Sequence, residues 1–440
     1  MGKNVLILGA GLVSRPIVRY LLDNGFNVVM ASRTVSKAEK IIENHPNGKA
    51  ISFNIAKDDF LDKLIQDCDI AVSLLPYTYH VKVAKLCVKY RKHLVTTSYV
   101  SDEMKSLDEQ AKSAGVLLLN ECGLDPGIDH MSAMRIIHDV EEKDGKVISF
   151  KSTTGALPSF ENNNNPFGYK FSWSPRGVLL ASRNSAKWLE NGQEINIPGE
   201  QLFENYYLQD VPSVGTFENY PNRNSVPYKE IYGLKDAHTV YRGTFRITGW
   251  CETLRNIVAL GWLNDKPISG FNGKTYADIT RKLIAAKSDE DLIKAVVRYL
   301  DLKEYSAIIK RLDWLGIFSN IPLPNDRDNP LDYLNVLTLS KMKLGKDERD
   351  MIVMHHEFVA EYHDKKEYIT STLLDFGIPD GDSAIARTVA LPAAIAVRMI
   401  LDNKISLSGV HIPVKPEIYN PILDELEEMD ITFKEKSKTI

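Results

Sequence analysis

Residues 3–34 limit what this chain can fold into more than any other stretch. Asn4-Val-Leu-Ile-Leu8 has the pattern of a short strand buried in a parallel sheet. It runs directly into Gly9-Ala10-Gly11, then Leu12, Val13 and a helical pattern with Pro16 in its first turn. Asn24-Gly25 closes that helix, and Asn27 to Ala31 returns as a second strand. A pyrophosphate needs backbone N–H groups it can approach closely and the positive end of a helix dipole. A turn with small residues at Gly9 and Gly11, feeding a helix, supplies both. The third small position of the fingerprint is Ser14 rather than Gly or Ala.

The triplet after the second strand, Ser32-Arg33-Thr34, selects the dinucleotide. An NAD site places an acid here to bind the ribose 2′-hydroxyl. This chain has no acid there, and a guanidinium fork between two hydroxyls suits a 2′-phosphate, so the expected cofactor is NADP. A solvated surface arginine is the competing reading of Arg33.

Length and composition narrow the class. The 440 residues are enough for about three domains. A net charge of −4 without a basic run argues against a nucleic-acid partner. No apolar run of membrane length is expected, and a strand that begins at residue 3 leaves no room for a signal peptide. Cys68, Cys87, Cys122 and Cys251 are scattered without a CxxC, the usage of a reduced, cytoplasmic protein, and receive no role.

A βα rhythm continues to about residue 125. Val35–Asn44 and Asp58–Asp67 read as helices; Ala50–Asn54, Asp69–Leu75, His93–Tyr99 and Val116–Asn120 read as strands three to six. Ligands in such sheets lie beyond the carboxyl ends of the strands. Six separated segments therefore converge on one crevice: Gly9, Arg33, Asn54, Leu75-Pro76-Tyr77, Thr97-Ser98-Tyr99 and Glu121 to Pro126. Beyond Gly127 come a helix at Ile128–Glu142, a strand at Val147–Thr154, an irregular stretch from 155 to 250 and a strand at Val240–Thr248. Residues 266–345 are helical. Met351–Glu361 and Lys366–Leu373 form a hairpin, and Ser383–Leu401 is a long apolar helix containing Pro392, expected to pack on the first domain.

Three constellations carry candidate chemistry. Asp125 sits at the edge of the sheet, placed to bind an ammonium or manage a proton; equally, Asp-Pro-Gly is a good turn and Asp caps helices. Arg223 and Arg246 could each clasp a substrate carboxylate, the alternative being a strand arginine paired with a local acid. His355-His356-Glu357 is set aside as a metal site, because neighbours on a strand face opposite sides. Among Tyr77, Tyr79 and His80, only Tyr77 is given a pocket role, since it directly follows the fourth strand.

Longer strings resemble one family across essentially the whole chain. They are Leu8-Gly-Ala-Gly-Leu-Val13, Ser73-Leu-Leu-Pro-Tyr77, Thr97-Ser-Tyr99 and Gly123-Leu-Asp-Pro-Gly-Ile-Asp-His130. Others are Asn165-Pro-Phe-Gly-Tyr-Lys-Phe-Ser-Trp-Ser174, Tyr220-Pro-Asn-Arg-Asn-Ser225, Arg242-Gly-Thr-Phe-Arg246 and Glu348-Arg-Asp-Met-Ile-Val353. The family is that of the glutamate-forming saccharopine dehydrogenases, the saccharopine reductases.

The resemblance implies an α/β chain: a Rossmann-like parallel-sheet domain (1–125 with 380–440), a mixed α/β saccharopine-binding domain (126–265 with 346–379) and a small all-helical domain (266–345). It implies NADP contacts at Gly9, Ala10, Gly11, Leu12, Val13, Ser32, Arg33, Thr34, Asn54, Ile55, Leu75, Pro76, Tyr77, Ser98, Leu124, Asp125, Pro126 and Arg176. It implies saccharopine contacts at Ser98, Tyr99, Asp125, Arg223, Thr244, Phe245 and Arg246. Asp125 and Tyr99 are the catalytic candidates, no metal is involved, and the chain is expected to be a cytoplasmic homodimer. One departure is Thr154, where fungal relatives carry Cys.

The activity so implied is NADPH-dependent reduction of the imine between L-glutamate and 2-aminoadipate 6-semialdehyde, in lysine metabolism. Three alternatives are weighed. NAD-dependent saccharopine oxidation, found in relatives fused to a lysine–ketoglutarate reductase, is opposed by Arg33 and by the start of the chain at its first strand. A carboxynorspermidine dehydrogenase would need fewer arginines and more acids. A dinucleotide-sensing module would not need Asp125 and both arginines.

Overall fold

The computed structural model describes residues 2–57, 60–271 and 273–440. They form two compact units: Met1–Lys146 with Glu361–Lys365 and Leu373–Lys434, and Val147–Ala360 with Lys366–Thr372 and Glu435–Ile440.

The first unit is built on a parallel sheet. Its strands are β1 (Asn4–Leu8), β2 (Asn27–Ser32), β3 (Gly48–Ser52), β4 (Ile70–Ser73), β5 (His93–Thr96) and β6 (Leu117–Leu119). They lie in the order 3-2-1-4-5-6, and Gly409–His411 adds a seventh strand beside β6. Every pairing is parallel. This is the doubly wound order in which the chain reverses direction between β1 and β4, the place where such sheets bind ligands. The seventh strand escaped the sequence reading because three residues give no periodicity.

β4, β5 and β6 end one to three residues before the expected bounds, where the chain turns toward the crevice, whereas β2 runs one residue further and β3 starts two residues earlier and ends two earlier. The helix expected from Asp58 is described from Leu61 to Asp67, Asp58 and Asp59 lying outside the described residues. One sheet face packs Leu6, Leu8, Ala71 and Leu94 against Leu64, Ile65, Val83 and Cys87.

The helix Ala384–Leu401 packs against Arg15–Asp23 in the same unit, as expected. The Tyr20 hydroxyl donates to Glu425 and accepts from Arg398 Nε at 2.6 Å. With 18 residues and mean hydropathy 1.7 this helix does reach membrane length, contrary to the sequence count, but 83% of it is buried in the protein. The helix Ile128–Glu142 also belongs to the first unit, held by Arg135 to Asp424 at 2.6 Å, although the sequence reading begins a new domain at residue 126.

The second unit contains a mixed sheet. Its strands are β7 (Lys146–Pro158), β8 (Ala186–Glu190), β9 (Gln193–Ile197), β10 (Tyr207–Val211), β11 (Gly215–Pro221), β12 (Thr239–Arg246), β13 (Asp350–Glu361) and β14 (Lys366–Phe376), with Phe433–Thr439 at the edge. The order is β10-β11-β12-β7-β13-β14 and the edge strand, with β8 paired to β12 and β9. β7 and β12 run parallel; β11 is antiparallel to β12. Four of these strands lie in the stretch read as irregular. Asn191-Gly192, both at positive φ, joins β8 to β9 and is the expected sequence of a tight hairpin turn. Helices Tyr276–Leu283, Leu292–Tyr299, Ala307–Leu315 and Pro330–Met342 occupy the helical region. Each starts at a Thr, Asp, Ser or Asn whose side chain accepts from the first turn.

Candidate active site

The glycine turn has the shape a dinucleotide needs. Gly9 has φ +113°, and a Cβ there would stand 2.9 Å from the carbonyl oxygen of Leu74 at the end of β4. Only glycine fits. Ser14 heads the helix Arg15–Asp23, yet its hydroxyl donates back to the Gly11 carbonyl at 2.8 Å instead of capping. The helix has no acid in its first turn, so its leading N–H groups and its dipole remain available to an anion. Leu12 is 66% exposed on the rim.

Arg33 is exposed one residue past β2 and has no carboxylate partner among the described residues. The Ser32 hydroxyl accepts from the Thr34 N–H at 3.3 Å, which fixes the turn around it. Asn54 folds over its own loop, accepting from Ala56 N–H at 3.1 Å, and Ile55 is buried. Leu75 and Pro76 follow β4, and Tyr77 is 75% exposed. These residues fit a phosphorylated dinucleotide: a close-approach turn, an uncapped helix start and an unpaired guanidinium.

At the ends of β5 and β6 the sequence candidates meet directly. The Tyr99 hydroxyl donates to Asp125 Oδ1 at 2.8 Å. Buried Glu121 joins the two segments: its backbone N–H donates to Ser98 O at 3.1 Å, and its Oε1 accepts from Val100 N–H at 2.9 Å. Its other oxygen meets His130 Nε2 at 2.7 Å. The loop carrying Leu124, Asp125 and Pro126 closes at Gly127, φ +149°, where a Cβ would fall 2.0 Å from the Gly123 carbonyl oxygen. The N–H of Gly127, where the next helix starts, donates to Asp129 at 2.6 Å. The Asp125–Pro126 peptide is cis.

His80, expected from the sequence to have no pocket role, lies beside Ser98. Its imidazole bridges two serines, with Nδ1 2.8 Å from Ser73 Oγ and Nε2 2.9 Å from Ser98 Oγ. Burial pushes its pKa down to about 4, so the ring is neutral near pH 7. The available signal was positional: His80 opens the helix that follows Tyr77.

The second unit holds the remaining candidates. Arg246 ends β12, is 6% exposed, and forms no ion pair among the described residues. Its guanidinium carbon lies 5.1 Å from the ring of Tyr169, 5.5 Å from Trp250 and 5.9 Å from Tyr220. Nη1 donates to the Phe245 carbonyl at 2.8 Å, and Nε has no hydrogen-bond partner. Glu218, its cross-strand neighbour, spends its carboxylate on the N–H groups of Gly249 and Cys251 at 2.6 and 2.7 Å. Burial raises the pKa of Tyr169 and pushes Tyr220 up to about 12, with the Arg246 charge opposing both.

Thr244 pairs with Thr154, whose buried hydroxyl also lacks a partner. Phe245 points to the opposite sheet face and packs against Phe217 with tilted rings 5.4 Å apart, so only its main chain can serve this side. Arg223, at φ +54°, lines a cavity of about 340 Å³ with Lys187, Asn196 and Asn224. Arg176 belongs to the second unit, where its Nε donates to Asp332 at 2.8 Å. The two histidines set aside earlier lie on β13; His355 Nδ1 contacts Thr372 Oγ1 at 2.8 Å.

Comparison with known proteins covers the whole chain. Residues 5–119 match the model of the saccharopine dehydrogenase NADP binding domain, and residues 123–431 that of the saccharopine dehydrogenase C-terminal domain. A saccharopine dehydrogenase [NADP(+), L-glutamate-forming] of Schizosaccharomyces pombe is 39% identical over 98% of both chains. The apo structure of the Saccharomyces cerevisiae enzyme superposes with a TM-score of 0.89 at 38% identity, covering 99% of this chain and 100% of that one. An alpha-aminoadipic semialdehyde synthase of Arabidopsis thaliana is 35% identical over 99% of this chain but only 45% of its own length.

Proposed function

We infer that this chain, which belongs to the saccharopine dehydrogenase family, is an NADP-dependent, L-glutamate-forming saccharopine dehydrogenase. In the reductive direction the amine of L-glutamate condenses with the aldehyde of 2-aminoadipate 6-semialdehyde, releasing water. Addition of a hydride and a proton across the carbon–nitrogen double bond then gives saccharopine. NADPH supplies the hydride.

One observation carries the substrate half of this reading. Arg246 holds a positive charge in an aromatic cage, with a donor unused and no acid of its own among the described residues. A buried, uncompensated cation is costly unless a ligand brings the counter-charge. Saccharopine has three carboxylates, carried at both ends of the molecule. Asn222, beside Arg223, donates to the Arg242 carbonyl at 2.8 Å. Arg246 lies four steps further along the strand, about 13 Å at the usual rise. That spacing suits a substrate with an anion at each end.

In the first unit, Gly9 to Val13 and the helix start would hold the pyrophosphate and Ser32 to Thr34 the 2′-phosphate. Asn54-Ile55, Leu75 to Tyr77 and Leu124 to Pro126 would line the remaining contacts, Arg176 contributing from the second unit. The Asp125 carboxylate, held by Tyr99, would orient the substrate nitrogen and stabilise its positive charge, while Ser98 would face both ligands. The three-domain division, the homodimer and the cytoplasmic location expected from the sequence belong to the same reading. Steady-state kinetics with saccharopine and NADP⁺ test it: release of glutamate with formation of NADPH supports the assignment, and absence of turnover overturns it.

A further inference from the structure

We propose that His80 is a positioning residue that fixes the polarity of the Ser98 hydroxyl, so that Ser98 presents a hydrogen-bond donor to the bound ligands. The proposal rests on the reading that Ser98 faces the site. Ser73, His80 and Ser98 form a line of hydrogen bonds at 2.8 and 2.9 Å, running from a buried strand end to the end of β5. His80 is 4% exposed and Ser73 fully buried.

A neutral imidazole has one N–H and one lone pair, so it donates to one serine and accepts from the other. The surroundings decide which. Among the described residues the Ser73 hydroxyl has no side-chain partner except His80. If Nδ1 carried the proton, Ser73 would accept it and leave its own O–H unpaired in the core, at the full cost of desolvating a donor. With Nδ1 bare, Ser73 donates to it and nothing is left over. Nε2–H then donates to Ser98 Oγ. The proton of Ser98 has no other acceptor among the described residues, so it turns toward the ligand.

The line ends at buried Ser73, so it orients a hydroxyl and does not carry protons to solvent. The groups Ser98 would recognise are acceptors, a carboxylate or a carboxamide oxygen.

A double-mutant cycle in the full-length enzyme tests this. Ser98→Ala alone should lower kcat/KM for saccharopine about tenfold, as expected for one hydrogen bond to a charged group. His80→Ala should do the same in the wild-type background and add less than about twofold on top of Ser98→Ala. His80→Gln, whose amide reaches the place of Nε2, should recover most of the loss, whereas His80→Asn, which reaches only Nδ1, should not. Equal losses from His80→Ala in both backgrounds, or equal behaviour of Gln and Asn, would overturn the proposal. Wild-type kinetics in Ser98→Ala would instead remove Ser98 from the site. Nitrogen NMR of His80 in the unmutated protein decides the tautomer independently of variant folding. An unprotonated Nδ1 is expected, and an Nδ1–H form contradicts the proposal.

Discussion

The Tyr99 hydroxyl donates to Asp125 Oδ1 at 2.8 Å, although 26 residues separate them in sequence. One follows β5 and the other follows β6, and the parallel pairing of those strands brings their carboxyl ends together. Removing the hydroxyl with Tyr99→Phe should leave the Asp125 carboxylate less fixed. We expect kcat/KM for saccharopine to fall about 10- to 100-fold, the range for a hydrogen bond to a charged group. The unfolding midpoint should move by only a few degrees, because the pair is half exposed. A large loss of stability with kinetics unchanged would make the contact structural.

Arg33 has no carboxylate partner among the described residues, so replacing it breaks no ion pair there. Arg33→Ala should weaken NADPH binding about 10- to 100-fold and leave NADH binding nearly unchanged. Titration of both nucleotides by fluorescence reads the difference. Parallel losses would show that the guanidinium does not meet the 2′-phosphate.

Arg246 makes a sharper demand, because its charge is buried with no ion-pair partner among the described residues. Arg246→Met keeps the apolar stem within the Tyr169–Trp250 cage and removes the charge. The variant should unfold at the same temperature or higher, while KM for saccharopine rises at least tenfold. A destabilised variant with normal KM would assign Arg246 to the fold rather than to the substrate.

His80 couples stability to pH with a definite sign. Its folded pKa is depressed to about 4, below the value of about 6.5 in the unfolded chain. The unfolded state therefore binds more protons between these values, and stability is lost as pH falls from about 6.5 to about 4. The contribution is on the order of 3 kcal/mol. His355 is shifted the same way by burial and adds to the slope. Urea unfolding between neutral pH and pH 4 should show a slope reduced by about one proton in His80→Gln. An unchanged slope would mean that His80 titrates normally.

Much of the first unit was legible because its signals are local. The run from β1 through Gly9 to Pro16 dictates strand, turn and helix, and the apolar runs up to Leu119 repeat the βα period. Their carboxyl ends had to meet once the strands paired in parallel. His80 was less legible because its role depends on Ser73 and Ser98, which only the sheet brings beside it. In the second unit, β8 to β11 hid within a stretch of mixed polarity. Their pairing is long-range, and the local signal for it is confined to short turns such as Asn191-Gly192. That Arg246 forms no ion pair among the described residues could not be seen in sequence at all, since Glu218 stands directly across the ladder but accepts instead from the N–H groups of Gly249 and Cys251.

The most direct test of the assignment follows nicotinamide absorbance while the purified protein turns over L-glutamate and 2-aminoadipate 6-semialdehyde. NADPH should be consumed in proportion to saccharopine formed, with NADH supporting a far lower kcat/KM. NADPH consumption that requires neither glutamate nor the semialdehyde, or a preference for NADH, would contradict the account.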